Sequence, residues 1–268
     1  MTSTRKRRLK IFVKSLLWRA GLDVRLRNPW LENGLVVSPD LQTVLSWYLT
    51  TTETRPFFIQ IGANDGYSDD PLYPVIRDFQ LPGLLVEPQP ALHEALTRTY
   101  RDMPELECVH AAIADRDDTL VFYSFSNELT EENTGFNFSA LGALEREQAI
   151  AGFRQMAPQY GVKGRAEDYL VTRHVPAMRL ETLLSAYDIA HFDILVIDAE
   201  GYDLKILYQL DLHLYRPILI YYEHAKLDET QRIESWRHLR AHGYTPCICG
   251  SNTLALKTGI LNEHSSGE

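Results

Sequence analysis

The sequence predicts an α/β fold whose central sheet is mostly parallel and ends in an antiparallel hairpin. After residue 56, short apolar runs rich in Ile, Val, Leu and Tyr alternate with helical patterns, which is typical of a parallel sheet with crossover helices. The runs are almost continuously apolar, and this indicates strands that are buried on both faces. The chain has 268 residues and is 45% hydrophobic, which is enough for one substantial core.

The predicted elements follow one another in a regular order. Strands are expected at 57–61, 83–87, 106–114, 192–198 and 217–224. Helices are expected at 72–80, 90–100, 180–187, 203–210 and 228–242. The chain then reads YTPCICGSNTLALKT, in which Gly250-Ser251 separates two strand-like runs. A two-residue connection of this kind suits an antiparallel hairpin.

Residues 1–50 are interpreted as a basic, mainly helical extension that precedes the main domain. Up to residue 27, nine Lys or Arg residues oppose Asp23 alone, so this segment carries +8 while the whole chain carries -9. The stretch RKRRLKIFVKSLLWRAGL predicts a basic amphipathic helix that contacts an anionic membrane surface or a glycan. The alternative is a helix that packs on the domain with a solvated basic face. The acidic remainder of the chain argues against a nucleic-acid-binding surface.

The main domain is assigned to residues 51–260, with a flexible tail at 261–268. Within it, residues 125–175 are far longer than a simple crossover requires, so we expect an inserted cap or loop that selects the substrate. The alternative is a mobile surface loop. Polar and aromatic side chains typical of carbohydrate pockets occur in this insertion, at Asn127, Phe136, Asn137, Phe138 and Ser139.

The cysteines and the hydropathy pattern predict a cytoplasmic protein. Cys247 and Cys249 are spaced i,i+2, which fits neither a zinc knuckle nor a redox CxxC motif, and Cys108 stands alone. No apolar run approaches the roughly 20 residues that cross a bilayer, and the N-terminus lacks the pattern of a secretory signal. If the basic segment binds lipid, the expected location is the inner face of the membrane.

Polar residues follow the predicted strands at the points where these strands end. In an open parallel sheet, ligands bind outside the carboxyl ends of the strands. The residues in question are Gly62-Ala63-Asn64-Asp65-Gly66, Glu87, Asp198-Ala199-Glu200-Gly201 and Glu223-His224. The sequence therefore predicts that they form a single site at one edge of the sheet.

The glycine loop in this set is acidic, and its charge indicates the class of ligand. A pyrophosphate site typically uses G-x-G-x-x-G at a helix N-terminus, whereas this loop offers G-x-x-x-G beside Asp65, Asp69 and Asp70. These carboxylates would repel phosphate and favour a cationic nucleoside such as S-adenosylmethionine. Glu87 stands where a carboxylate can accept both ribose hydroxyls. The alternative for Asp69 and Asp70 is that they cap the helix that begins near Pro71.

Several strings of this sequence resemble the FkbM family of S-adenosylmethionine-dependent methyltransferases. They are IQIGANDGYSD, LLVEPQPALHEAL, CVHAAIADRDDTLVFY, VPAMRLETLLSAYDIAHFDILVIDAEGYDLKIL and RPILIYYEHAKL. They cover most of residues 57–224 in the family's order. The resemblance implies a Rossmann-like class I methyltransferase fold with a mostly parallel seven-stranded sheet. It also implies methyl transfer to a hydroxyl oxygen, on a sugar, glycan, glycolipid or polyketide-like product.

The resemblance also assigns roles to individual residues. It places the G-A-N-x-G motif on Gly62, Ala63, Asn64 and Gly66, with Asp65 inside the same cofactor-binding loop. It implies that Glu87 binds the ribose and that Ala111, Ala112 and Asp115 lie beside the adenine. The D-x-E-G motif falls on Asp198, Glu200 and Gly201, next to the expected position of methyl transfer. One departure is Gln60, which stands where many members of the family have an acid.

The expected chemistry requires a base that removes the proton of the acceptor hydroxyl. Asp198 and His224 are the candidates, with Glu200 and Glu223 orienting the acceptor. An alternative makes these four residues ligands of Mg²⁺ or Mn²⁺, but we do not favour it and predict no metal site. A third interpretation is structural, with His224 as a hydrogen-bonded core histidine and Glu200 as a cap of the helix near Tyr202.

The function predicted from the sequence is therefore O-methylation of a sugar, glycan or glycolipid, for example in a surface polysaccharide, with S-adenosylmethionine as cofactor. A polyketide-like or other small natural product is the alternative acceptor. Two alternatives come from other classes, namely an NAD-dependent oxidoreductase and a non-catalytic glycan-binding module that retains the fold. The missing third loop glycine and the acidic loop argue against the oxidoreductase.

Overall fold

We describe a computed structural model of the chain over residues 22–25, 36–126 and 128–258. The strands are β1 Leu22–Arg25, β2 Val36–Pro39, β3 Phe58–Ile61, β4 Gly83–Val86, β5 Leu106–Val109, β6 Ala112–Ile113, β7 Asp118–Phe125, β8 Leu170–Met178, β9 Ile194–Ile197, β10 Leu219–Glu223, β11 Tyr244–Cys249 and β12 Asn252–Lys257. The α-helices are α1 Leu41–Thr51, α2 Tyr73–Phe79, α3 Pro90–Thr99, α4 Glu131–Thr134, α5 Arg146–Met156, α6 Ala166–Tyr169, α7 Leu180–Ala186, α8 Asp203–Leu207 and α9 Glu229–Ala241. A 3₁₀ helix spans Phe138–Leu141.

Seven strands form the central sheet, in the order β11-β12-β10-β9-β3-β4-β5. The pairs β10·β9, β9·β3, β3·β4 and β4·β5 are parallel, whereas β12 is antiparallel to both β10 and β11. The predicted mostly parallel sheet with a C-terminal antiparallel hairpin is thus confirmed. The strands and helices of the sequence prediction are present with ends that differ by a few residues.

The central strands are buried on both faces, as their apolar runs predict. Because successive strand residues point to opposite faces, alternate residues enter two separate cores. Ile59, Leu195 and Ile220 pack in the core that also contains residues of α7, α8 and α9. Phe58 and Val196 pack in the other core, together with residues of α1, α2 and α3.

The predicted strand 106–114 is split between two sheets. β5 pairs with β4 up to the register Val86↔Val109, where β4 ends. Beyond that point Ala112 and Ile113 pair with β8 in a separate three-stranded sheet, of order β6-β8-β7. β6 is buried, whereas β5, at the edge of the central sheet, is only partly buried.

The insertion between β7 and β8 is an ordered unit with a core of its own. β7 and β8 form a long antiparallel pair that brings residues 118–125 against residues 170–178, which sequence analysis does not predict. Phe125, Phe138 and Phe153 are buried in a cluster formed by the segment between these strands. We call residues 126–169 the cap. Its role in selecting a substrate stays a prediction.

The start of the chain is described in part. β1 and β2 form an antiparallel pair, and α1 begins after Asp40, whose side chain accepts a hydrogen bond from the Thr43 backbone N–H at 2.8 Å. Leu41 and Leu45 of α1 are buried against the sheet, so this helix belongs to the core of the main domain. Residues 1–21, 26–35 and 259–268, and with them most of the basic segment and the tail, lie outside the described residues. Among the residues that are described, no helix combines the length and apolarity that a bilayer span requires.

Candidate active site

The carboxyl ends of β3, β4 and β9 open into one cleft of about 1050 Å³. Gly62, Asn64, Glu87, Asp198 and Glu200 all line it, so three of the four predicted segments meet here, whereas the fourth, Glu223-His224, does not line the cleft. The start of α1, the hairpin turn and part of the cap complete its walls. Ligand pockets of small molecules typically measure about 300 to 1000 Å³, so the cleft has room for a nucleoside and a second molecule.

The glycine loop passes very close to β9, and this explains its first glycine. Gly62 has a φ of +80°, and a Cβ atom placed there would lie 1.8 Å from the carbonyl oxygen of Asp198. Gly66 has a φ of +70°. A Cβ atom placed there would lie 2.6 Å from side-chain carbons of Leu96 and Tyr100. Both positions therefore require glycine for backbone conformation and for space.

Glu87 fixes the loop from the end of β4. Its side chain is only 4% exposed, and its two carboxylate oxygens accept hydrogen bonds from the backbone N–H groups of Asn64 at 3.0 Å and Gln89 at 2.9 Å. Burial raises the pKa of Glu87 to about 7. Because each carboxylate oxygen has a second lone pair, this group can still accept hydrogen bonds from a ligand in the cleft.

Three buried oxygen atoms beside the loop have no hydrogen-bond partner among the described residues. They are Oε1 of Gln60, Oδ1 of Asn64 and Oδ2 of Asp70, and all three residues line the cleft. Gln60 is 4% exposed, and its amide donates to Asp70 Oδ1 at 3.2 Å. Burial raises the pKa of Asp70 to about 6. An unpaired buried acceptor costs about 1 to 3 kcal/mol, so these oxygens favour a ligand that donates several hydrogen bonds.

The other two loop aspartates have different surroundings. Asp65 accepts hydrogen bonds from the backbone N–H groups of Tyr67 at 2.9 Å and Ser68 at 2.8 Å, and from the Ser68 hydroxyl at 2.6 Å. Its carboxylate therefore holds the turn and is not part of the cleft lining, although sequence analysis assigns it to cofactor binding. Asp69 is exposed and lines the cleft, with a φ of +54°.

Four charged groups meet where β9 and β10 end. Carboxylate oxygens of Asp198, Glu200 and Glu223 lie within 4.8 Å of one another, a spacing that could also hold a metal ion. The ammonium group of Lys226 donates to Glu200 at 2.7 Å, and both side chains are largely buried. Lys226 thus places a positive charge beside the three carboxylates.

This arrangement raises the pKa values of the acids. Asp198 opens into the cleft, but protein encloses its other sides, and this enclosure together with the charges of Glu200, Asp203 and Glu223 raises its pKa well above the ordinary value. Burial and the charge of Glu200 raise the pKa of Glu223 to about 7. Lys226 acts in the opposite direction on both groups.

Asp203 organises the loop that follows β9, and sequence analysis misses it. Its fully buried carboxylate accepts hydrogen bonds from the backbone N–H groups of Ala199 at 3.4 Å, Gly201 at 3.1 Å and Glu223 at 3.2 Å. Burial raises its pKa to about 7. These bonds hold Glu200 in a left-handed conformation with a φ of +50°. The available sequence signal is an acid at the start of α8, directly after the D-x-E-G motif.

Some predicted site residues are not part of the cleft lining, namely Asp65, Gly66, Asp115, Glu223 and His224. The ring of His224 is buried, with Nδ1 at 3.1 Å from the hydroxyl of Thr253, an arrangement that matches the core-histidine interpretation. Asp115 is exposed and lies 3.5 Å from Arg116. By contrast, Ala111 and Ala112 are buried and line the cleft, as do Ala63 and Ala199.

The cap contributes one wall of the cleft through Phe136, Asn137 and Tyr160. Of the other cap residues singled out from the sequence, Phe138 is fully buried and supports this wall, while Ser139 donates through its hydroxyl to Asn137 at 2.6 Å. Asn127 lies outside the described residues.

The comparisons with known proteins concern the same segments. Residues 60–246 match the family profile described as Methyltransferase FkbM domain. The METTL16 MTase domain is 12% identical, with a TM-score of 0.43 and coverage of 92% of this chain and 77% of that one. The N-terminal domain of human METTL16 in complex with SAH is 13% identical, with a TM-score of 0.40 and coverage of 92% and 79%. The precorrin-6y C5,15-methyltransferase from Geobacter metallireducens is 11% identical, with a TM-score of 0.39 and coverage of 80% and 87%. No curated protein matches this chain in sequence. The profile match includes the glycine loop, Glu87 and the Asp198 loop.

Proposed function

Because the chain belongs to the FkbM methyltransferase family, with a Rossmann-like fold of seven mostly parallel strands, we propose that it transfers the methyl group of S-adenosylmethionine to a hydroxyl oxygen of a sugar, glycan or glycolipid. One observation carries the proposal. The cleft beside the glycine loop combines Glu87 with three unpaired buried oxygens, an acceptor set suited to a ligand with hydroxyl and ammonium donors.

The residues present fit this cofactor. Glu87 would accept the ribose hydroxyls, and the apolar side chains of Leu92, Ala112 and Ile113 would surround the adenine. The oxygens of Gln60, Asn64 and Asp70 would accept hydrogen bonds from the amino group of the methionine part. When bound, the cofactor supplies a methyl group on a sulfonium, which is already a good leaving group.

The protein's own task is to position the acceptor hydroxyl and to remove its proton. Positioning contributes about 7 to 11 kcal/mol in favourable cases, and a base adds roughly 10² to 10⁴-fold. We assign the base to Asp198, because it opens into the cleft and its pKa is raised toward the working pH. His224, the other candidate, is less suited because its buried ring is bonded to Thr253. Glu200 and Glu223 would orient the acceptor.

The acid cluster also bears on the question of a metal. Asp198, Glu200 and Glu223 offer oxygen ligands of the type that Mg²⁺ and Mn²⁺ prefer. The ammonium group of Lys226 already supplies a positive charge at this place, and our proposal therefore does not include a metal. Methyl transfer that depends on added Mg²⁺ and stops on chelation would contradict this part of the proposal.

The proposal includes a cytoplasmic setting, which the lack of a disulfide bond among Cys108, Cys247 and Cys249 supports. The hypothesis also includes contact between the basic N-terminal segment and a membrane that carries the acceptor. A polyketide-like acceptor is the alternative substrate. An acceptor linked to a lipid at the inner face of the membrane would make such contact useful.

Two measurements test the proposal in sequence. Calorimetric titration should show that S-adenosylhomocysteine binds and that NAD does not, and the reverse would favour the oxidoreductase. Methyl-labelled S-adenosylmethionine should then label a panel of oligosaccharides, with NMR locating the label on oxygen. Label on carbon or nitrogen, or cofactor binding without transfer to any acceptor class, would contradict an O-methyltransferase.

A further inference from the structure

The charged residues that line the cleft are all acidic. Besides Asp70, Glu87, Asp198 and Glu200, described above, Asp40, Asp69 and Glu131 lie along its walls. Within the described residues, the lining contains no Lys, Arg or His side chain, and the ammonium group of Lys226 donates to Glu200 of the lining. Sites for phosphate or carboxylate groups typically use Arg or Lys, so this lining is unsuited to an anionic acceptor.

The N-terminus of α1, which lies on the cleft wall, is also closed to anions. Backbone N–H groups at the start of a helix are a common binding site for phosphate. At α1, however, the carboxylate of Asp40 already accepts a hydrogen bond from Thr43 N–H at 2.8 Å. A carboxylate of the protein therefore occupies the position that an anionic substrate would take.

The cap presents a stacked pair of aromatic rings to the same cleft. The rings of Phe136 and Tyr160 stack with their centroids 5.1 Å apart and an interplanar angle of 24°. Phe138, which is fully buried, lies nearly perpendicular to Phe136 with the ring centroids 5.2 Å apart, and it anchors this pair in the core of the cap. Tyr160 is 38% exposed, and Tyr67 of the glycine loop, which also lines the cleft, is 63% exposed. Such rings offer apolar faces on which the C–H face of a sugar or another ring can pack.

We propose that the acceptor segment in the cleft is a hydroxylated ring without phosphate or carboxylate groups, packed on Phe136 and Tyr160, and that an amino group on this ring strengthens its binding. This inference rests on the proposed function and specifies its substrate class. The aromatic pair provides the contact surface, and Asp69 and Glu131, which line the same cleft, provide negative charge.

A matched set of four probes tests the inference on the protein loaded with S-adenosylhomocysteine. They are methyl glycosides of glucose, of 2-amino-2-deoxyglucose, of glucuronic acid and of glucose 6-phosphate. Saturation-transfer NMR titrations give a dissociation constant for each. We expect the amino sugar to bind most tightly, then the neutral sugar, then both anions. Successive dissociation constants should differ by about two- to fivefold, because this ratio corresponds to the free energy of an exposed charge pair.

Two variants with matched controls test the named residues. Tyr160→Ala should weaken all four probes, whereas Tyr187→Ala, at a tyrosine of similar exposure outside the cleft lining, should leave them unchanged. Glu131→Gln should reduce the preference for the amino sugar, whereas Glu128→Gln, exposed and outside the lining, should not.

The outcomes separate this inference from the proposed function. Failure of S-adenosylhomocysteine to bind would count against the methyltransferase function itself. Binding of that ligand, combined with equal or tighter binding of the glucuronide or the phosphate, would overturn only the acceptor class. Absence of a signal from all four sugars on the loaded protein would overturn it as well, since the aromatic wall would then not accept a hydroxylated ring.

Discussion

The amide of Gln60 donates a hydrogen bond to the carboxylate of Asp70 across 3.2 Å, although the two residues belong to opposite ends of the glycine loop. This hydrogen bond brings a carboxylate beside the side chain of Gln60 from ten positions further along the chain. Oδ2 of Asp70 and Oε1 of Gln60 have no hydrogen-bond partner among the described residues, and both residues line the cleft. We interpret the pair as the recognition site for the amino group of the cofactor.

Asp70→Asn should therefore weaken binding of S-adenosylhomocysteine at pH 8 by about 10- to 150-fold, the value of one hydrogen bond to a charged group. Asparagine keeps an oxygen for the Leu72 N–H and for Gln60, and it replaces only the unpaired Oδ2. Calorimetry measures the effect. 5′-Methylthioadenosine, which lacks the amino acid part, is the control and should bind equally to both proteins. The double variant Gln60→Glu/Asp70→Asn should recover affinity, and equal losses for both ligands would contradict the interpretation.

The central sheet could be predicted from the sequence because its strands are buried on both faces and their apolar runs are distinct. The pairing of β7 with β8 could not, because about 44 residues of cap separate the two strands and partly exposed strands carry a weaker pattern. The division of the predicted strand 106–114 into β5 and β6 could not be predicted either, because it depends on where β4 ends.

The residues of the candidate active site could also be predicted only in part. The residues at strand ends could be located by topology alone, and Glu87, Asp198 and Glu200 do line one cleft. The parts played by Asp70, Asp203 and Lys226 depend on contacts between loops, which spacing does not reveal. The turn hydrogen bonds of Asp65 could not be predicted either, and its assignment to cofactor binding stays a prediction.

Gly62→Ala should abolish binding of S-adenosylhomocysteine and lower the melting temperature. An added Cβ would lie 1.8 Å from the carbonyl oxygen of Asp198, so the loop or the end of β9 must move. Gly161→Ala is the matched control, since Gly161 also has a positive φ, +71°, but no atom lies within 4 Å of the added Cβ. It should cost only the backbone strain, about 1 kcal/mol. Similar losses in both variants would show that the close approach is unimportant.

The unliganded protein should become less stable as pH rises from 5 to 8. Burial raises the pKa of Glu87 from an ordinary 4.5 to about 7, so between these values the folded protein holds more protons than the unfolded chain. The contribution of Glu87 to the free energy of unfolding is therefore fully present below the pKa of the unfolded chain, and it is lost as the pH rises through the pKa of the folded protein. Asp70, Asp203 and Glu223, whose pKa values are also raised, act in the same direction.

The Glu87→Gln variant should reduce this dependence, because the side chain no longer titrates. The contribution of Glu87 is on the order of 3 kcal/mol at most, given its shift of pKa. Melting temperatures across the pH range measure the slope, which is independent of any constant loss from the altered hydrogen bonds. Glu132→Gln, at an exposed position of α4, is the control. A slope as steep in Glu87→Gln as in the parent protein would contradict the role given to burial.

Lys226→Met should shift methyl transfer toward higher pH. The ammonium group of Lys226 lowers the pKa values of Asp198 and Glu223, so its removal should raise both. A base must be ionised to accept the hydroxyl proton, and the rise of kcat with pH should therefore occur at higher pH in the variant. Lys205→Met is the matched control, since Lys205 pairs with Glu145 at the surface.

Asp198→Asn should retain S-adenosylhomocysteine binding and lose most turnover. An unchanged pH profile in Lys226→Met, together with full turnover in Asp198→Asn, would show that the proton leaves by another route.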